Sequence, residues 1–207
     1  MSKNCPCACT LCYDGKQKEE DSEEVRIRML LILDVDYTLN RFYPPSIREL
    51  APADILQQNG PPLWDWIVEH LSTVEYPVHE GAVTVLERLD RCAPLVVVST
   101  GRPEALRTVT ERWLRQFFRF EQLFMRPMGD FRTNAEVKRD ILTEAILPLG
   151  GERQIYAFED DVATLAMYQE AGVRAFAAPD CWTHLHAHLP EEADPATVQS
   201  LLTAVLF

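Results

Sequence analysis

Met29-Leu30-Leu31-Ile32-Leu33-Asp34-Val35-Asp36-Tyr37-Thr38-Leu39 is a strand that ends in acid. Its first five residues are continuously apolar, as expected of a strand covered on both faces of a sheet. Asp34 and Asp36 follow at once. Carboxylates at the end of a buried strand are costly unless a cation meets them. Magnesium suits the task, because it is hard and prefers carboxylates, carbonyls and water. The alternative is a turn in which both aspartates cap local backbone amides.

Outward from this run the chain alternates. Leu95 to Val98 (LVVV) is a second apolar, β-branched strand, with Ile155 to Phe158, Val173 to Ala178 and Leu123 to Met125 as shorter ones. Between them lie helical stripes: Val83, Leu86 and Leu89; Leu106, Val109, Trp113 and Phe117 behind Pro103; Val137 and Ile141; Val162, Leu165 and Ala166. Proline suits a helix's first turn, so Pro103 marks one helix start. Asp194 and Pro195 read as the N-cap and first position of a last helix through Leu201, Leu202 and Val205. Strands alternating with helices predict an α/β, Rossmann-like three-layer sandwich with a parallel sheet and right-handed crossovers. The stretch from about 41 to 77 breaks the rhythm, being rich in proline and aromatics. Two helical pieces, around 47–58 and 63–74, predict a small cap inserted after strand 1, above the sheet edge where open α/β folds bind ligands.

The other strand ends carry chemistry of the same kind. The second strand leads into Ser99-Thr100-Gly101-Arg102, a hydroxyl and a glycine that offer donors to a phosphate; alone, this is an ordinary strand-to-helix turn. Lys138 follows inward-facing Val137 on its helix, so its ammonium can reach the sheet edge. The fourth strand leads into Glu159-Asp160-Asp161, of which an N-cap explains only one acid.

Asp-x-Asp, then Thr, then Lys, then Asp-Asp, each at its own element's end, resembles the haloacid dehalogenase superfamily over about residues 28 to 180. The resemblance implies strand order 5-4-1-2-3, which gathers the stations on one edge. It implies a magnesium-dependent phosphomonoesterase in which Asp34 is the nucleophile that forms an aspartyl-phosphate. Asp36 would protonate the leaving oxygen and then activate water. Thr100 and Lys138 would hold phosphoryl oxygens. Asp160 would bind magnesium with the Asp34 carboxylate and the Asp36 carbonyl, and Asp161 would assist through water or Lys138. Tyr37 stands where the family often has glycine, and reads as a specificity feature.

A closer resemblance joins Ser99 to Arg102, Met125 to Arg132, Val137 to Ile141 and Glu159 to Asp161 to the phosphatase domain of polynucleotide kinase-phosphatases. It implies nucleotide or polynucleotide 3′-phosphate ends as substrate, with Arg102 on the phosphate and Arg126 and Arg132 lining the pocket. No GxxxxGK[ST] kinase loop is present. A small-metabolite or phosphoprotein phosphatase, or a non-catalytic binding module on the same scaffold, remains open. A response-regulator receiver does not fit, since there an acidic pair ends the first strand and the phosphorylated residue the third.

Composition bounds these readings. Of 207 residues, 47% are hydrophobic and 25% charged, with a formal net charge of -12. Such a surface repels nucleic-acid backbones and acidic membranes at long range, so a polyanion must be met by a local basic pocket. Neither a bilayer-spanning apolar run nor a secretory stretch is present, which predicts a cytoplasmic protein. Residues 1–25 read as a cysteine-rich, acidic tail, and 26–207 as the phosphatase domain. Cys5, Cys7, Cys9 and Cys12 offer soft-metal ligands or form a plain cysteine-rich tail. His184, His186 and His188, with Cys181, read as surface residues, with a transition-metal site as the alternative.

Overall fold

The computed structural model describes residues 29–40, 53–54, 65–66, 69–70 and 77–204. The tail with its four cysteines lies outside these residues, as does nearly all of the expected cap. Within the cap, the three described pairs are helical, and the rings of Trp66 and His70 stack at 4.9 Å.

Five strands form one parallel sheet: β1 (Met29–Leu33), β2 (Leu95–Pro103), β3 (Gln122–Arg126), β4 (Gln154–Glu159) and β5 (Arg174–Ala177). Their order is β3-β2-β1-β4-β5, the expected one. β1 is central, with Leu33 level with Val98 of β2 and Phe158 of β4. This explains its unbroken apolar run. Met29, Leu31 and Leu33 enter one core with Tyr156 and Phe158, while Leu30 and Ile32 enter the other with Val97 and Ala157.

Helices cover both faces. α1 (Glu80–Asp90), α2 (Arg107–Leu114), α6 (Asp180–His188) and α7 (Pro195–Ala204) serve the first core. On the second lie α3 (Asn134–Ile141), which continues through a π turn (Leu142–Ile146) into α4 (Leu147–Gly150), and α5 (Val162–Glu170). Asp194 caps α7 as expected, accepting from the Thr197 N–H at 3.0 Å. No helix of the described residues is long and apolar enough to cross a membrane.

Two local expectations are corrected. β2 does not stop at Val98 but runs to Pro103, with a register shift against β3 between Ser99 and Pro103. Pro103 is extended, at ψ 152°, so α2 starts only after a 3₁₀ turn over Glu104–Leu106. On α5 the buried side chains are Thr164, Met167 and Tyr168 rather than Val162, Leu165 and Ala166. The cap at Asp161 sets the helix phase, and Val162, just inside it, faces solvent.

Candidate active site

The carboxyl ends of β1, β2 and β4 converge where the strand order reverses, the usual ligand position in open α/β sheets. After Leu33 the chain turns sharply. The Asp34 N–H still donates to Phe158 O at 3.0 Å, and the N–H groups of Leu39 and Asn40 return to Val35 O. Tyr37 closes this turn in the left-handed region at φ 60°, its N–H donating to Asn40 Oδ1 at 2.9 Å. From below, the buried Trp182 indole donates to Thr38 O at 2.9 Å while its ring stacks on Phe158 at 4.3 Å. The loop's exit is tied as well: Asn40 bridges Val78, and the His79 N–H donates to Leu39 O.

Lys138 is the centre of charge. It sits on α3, whose start is fixed by a capping box between Thr133 and Glu136. Its side chain is buried, and Nζ lies 2.6 Å from Asp34 Oδ1 and 2.6 Å from Glu159 Oε2. Burial alone would lower its pKa, but the charges of Asp34 and Glu159 outweigh that and raise it above the ordinary lysine value. The ammonium is therefore a fixed positive charge.

Asp34, Glu159 and Asp160 bring carboxylate oxygens within 4.8 Å of one another. Among the described residues, three carboxylates facing one ammonium leave a formal charge of -2 in a largely dry place. The strain shows in where burial and like charge drive the three carboxyls. Burial, then the charge of Glu159, push Asp34 up to about 7 against the pull of Lys138. Burial and the charge of Asp34 push Asp160 up to about 6, and burial raises Glu159 too. A divalent cation has the charge this trio lacks, and its preference for oxygen matches the donor set. The residues fit magnesium.

Asp36 is treated differently. Burial would raise it, but Arg102 grips it with two hydrogen bonds, Nε to Oδ2 at 2.8 Å and an Nη to Oδ1 at 2.6 Å. Asn40 Nδ2 donates to Oδ1 at 2.9 Å, and the carboxyl lies below its ordinary range. Arg102 also donates to Thr110 Oγ1, and its N–H donates to the hydroxyl of buried Thr100 at 3.3 Å. Arg102 thus reaches the first acidic station and holds its side chain.

Three residues read from sequence as parts of the site make the following contacts in the structure. Asp161 caps α5, accepting from the Thr164 N–H at 3.1 Å and the Thr164 hydroxyl at 2.5 Å. Glu159, to which the sequence reading gave no role, stands in the acidic trio with Asp34 and Asp160. Arg126 is buried and binds the β2–α3 junction, donating to the carbonyls of Gly101, Asp130 and Arg132 and to Asn134 Oδ1. Arg132 is exposed and pairs with Asp130 at 2.7 Å and Asp140 at 2.9 Å. Glu159 was visible as part of the acidic cluster. Its role turns on strand phase, because the last residue of β4 still lies in the sheet while Asp161 already belongs to the helix. His184 and His188 sit one turn apart on α6 with rings stacked at 4.2 Å. Among the described residues, only Asp34, Glu159 and Asp160 group as a potential metal site of three or more ligands.

No family model and no curated protein matches the chain. Solved structures do. A chain of the Pnkp1/Rnl/Hen1 RNA repair complex aligns at TM-score 0.54 and 19% identity over 75% of this chain. A second structure of that complex aligns equally well. This chain spans 43% and 47% of the length of those two chains. A haloacid dehalogenase-like hydrolase from Streptococcus pneumoniae aligns at TM-score 0.50 and 13% identity, over 72% of this chain and 84% of that one. The fold is thus shared with a haloacid dehalogenase-like hydrolase and with part of one chain of an RNA repair complex.

Proposed function

We propose that the chain is a magnesium-dependent phosphomonoesterase acting on nucleotide or polynucleotide 3′-phosphate ends. The observation that carries the chemistry is the Lys138 ammonium held 2.6 Å from both Asp34 and Glu159, beside a third carboxylate at Asp160. Asp34 attacks the phosphorus, forming an aspartyl-phosphate as the alkoxide leaves. Splitting one slow displacement into two easier ones is what such an intermediate achieves. Lys138 and the Thr100 hydroxyl hold phosphoryl oxygens. Asp34, Glu159, Asp160 and the Asp36 carbonyl would hold magnesium, which supplies charge neutralisation for an anionic substrate approaching an anionic nucleophile.

Asp36 delivers a proton to the leaving oxygen, then takes one from the attacking water. Its carboxylate is committed to Arg102 in the structure. A phosphoryl group is a second acceptor for the same guanidinium, and its arrival draws Arg102 off Asp36 and frees the acid to protonate. The 3′-end reading is supported by the quoted sequence resemblance and by the fold shared with a chain of an RNA repair complex.

The test uses Asp34→Asn and a substrate panel of 3′- and 5′-phosphorylated oligonucleotides, mononucleotides and sugar phosphates. Asp34→Asn is expected to lower turnover by roughly 10⁴-fold or more, and chelation of divalent ions to do the same. Wild-type rates in the Asp34→Asn protein remove the nucleophile. Uniform wild-type rates across the panel remove the nucleic-acid substrate.

A further inference from the structure

The row of residues that closes the sheet at the site is longer than the acidic trio. Leu33 is level with Val98 of β2 and Phe158 of β4, so Asp34, Ser99 and Glu159 stand side by side one residue further on. Ile32, Val97 and Ala157, two residues back, face the second core, and side chains alternate along a strand. Ser99 therefore points to the same side as Asp34 and Glu159. α3 and α5 pack together over that side and bring the buried side chains of Lys138 and Tyr168 to the row.

Tyr168 and Ser99 are fully buried. Burial raises the Tyr168 phenol well above its ordinary pKa, so it stays neutral, and of the charges around it Lys138 acts on it most strongly, ahead of Glu159. The Ser99 hydroxyl lies against the phenol and draws its pKa down. Yet neither oxygen reaches hydrogen-bond distance and angle with any described group. Buried hydroxyls left so lower stability, and phenylalanine would fill the same space as tyrosine without that cost. Two such groups, side by side behind Lys138, point to a bond made in another state of the site.

That state follows from what Lys138 holds. Its Nζ lies 2.6 Å from Asp34 Oδ1 and from Glu159 Oε2, and both carboxylates belong to the trio that fits a divalent cation. A cation held there repels the ammonium and shares its acceptors, and a buried ammonium cannot turn to water instead. A neutral hydroxyl accepts an N–H without cancelling the charge. We propose that Tyr168, backed by Ser99, is a positioning residue. Once a cation engages Asp34 and Glu159, the Tyr168 hydroxyl accepts a hydrogen bond from Lys138 Nζ and donates its own hydrogen to Ser99 Oγ. The ammonium thus stays beside Asp34 for the arriving phosphoryl oxygen. The proposal rests on the magnesium-dependent phosphatase reading above.

The experiment compares wild type, Tyr168→Phe, Ser99→Ala and the double variant. Magnesium binding is measured by titration calorimetry at pH 7.5, thermal midpoints are taken in chelator, and kcat and KM are measured on the panel substrate that wild type cleaves fastest. In Tyr168→Phe the Kd for magnesium is expected to weaken and kcat to fall, each roughly tenfold, as loss of a hydrogen bond to a charged group predicts, with KM nearly unchanged. Its midpoint in chelator is expected to stay level or rise, because the lost oxygen has no bond in the metal-free protein. Ser99→Ala is expected to show a smaller loss of the same kind, and the double variant no more than Tyr168→Phe alone. Wild-type Kd and kcat in Tyr168→Phe overturn the proposal and leave the phosphatase reading standing. A lowered midpoint in chelator, or failure of Tyr168→Phe to fold, also overturns it, since the hydroxyl would then be structural. Wild type that binds magnesium but cleaves nothing in the panel removes the phosphatase reading, while a weakened Kd in Tyr168→Phe would still uphold the shift of Lys138 onto the hydroxyl.

Discussion

The charges around Asp34 make sense only when weighed residue by residue. Among the described residues Lys138 is the one cation in contact with Asp34 and Glu159, and removing one partner of a buried ionic group costs about 3–5 kcal/mol because the remaining charge stays unpaired. Lys138→Met should therefore destabilise the protein by that order in chemical denaturation at neutral pH without divalent ions. Adding Glu159→Gln removes one of the two stranded carboxylates, and should return at least about 1 kcal/mol relative to Lys138→Met alone. A double variant no more stable than the single one would mean that Lys138 contributes packing rather than charge balance. Much of this site was legible in the chain, because Asp34, Asp36, Thr100 and Lys138 each end or flank an apolar run. The grip of Arg102 on Asp36 was not. It joins residues 66 positions apart in sequence, and nothing in local spacing says which acid a buried arginine will choose.

At the scale of elements, the site depends on how the end of β2 packs against the start of α3. Gly101 lies so close to α3 that a Cβ there would sit 2.5 Å from Asn134 Oδ1. That side chain is held by Arg126, which also binds the Gly101 carbonyl, so it cannot simply swing away. Gly101→Ala should cost about 1–3 kcal/mol, as overpacking does, and push the start of α3 outward. Lys138 lies in the next turn of that helix, so activity should fall by more than the loss of folded protein explains. Turnover per folded molecule equal to wild type would refute this coupling. Sequence patterning found all five strands because each is a short apolar run, whereas their order came from the family resemblance and not from the pattern. It misjudged phase where a local bond outweighs periodicity. Asp161 caps α5 and rotates Val162 into solvent, and the irregular pairing of β2 with β3 keeps Pro103 extended, where proline's fixed φ suits strand and helix start alike.

For the whole molecule, the strained carboxylates tie stability to pH and to metal. Asp34 lies near 7 and Asp160 near 6, with Glu159 also raised, against ordinary carboxylate values of about 4 in an unfolded chain. Between about pH 4 and pH 7 the folded state therefore holds more protons than the unfolded one, and stability falls as pH rises. The carboxyls pulled the other way are Asp36 by Arg102, Asp130 to about 2 by Arg132, Glu136 by Thr133, and Asp194 by Thr197. Their contribution is complete once the pH exceeds the ordinary carboxylate range, so it does not oppose the trend above pH 5. With divalent ions chelated, raising the pH from 5 to 7.5 should lower stability by on the order of 2 kcal/mol, or a thermal midpoint by about 4–8 °C. A cation held by the trio binds the deprotonated carboxylates and only the folded chain, so it competes with protons and stabilises by about 2.7 kcal/mol at a hundred times its Kd. Magnesium should thus raise the midpoint strongly at pH 7.5 and weakly at pH 5, and the difference should vanish in Glu159→Gln/Asp160→Asn. A midpoint that climbs from pH 5 to 7.5 in chelator, or that responds to magnesium equally at both pH values, would mean that the three carboxylates do not share the charge the geometry assigns them.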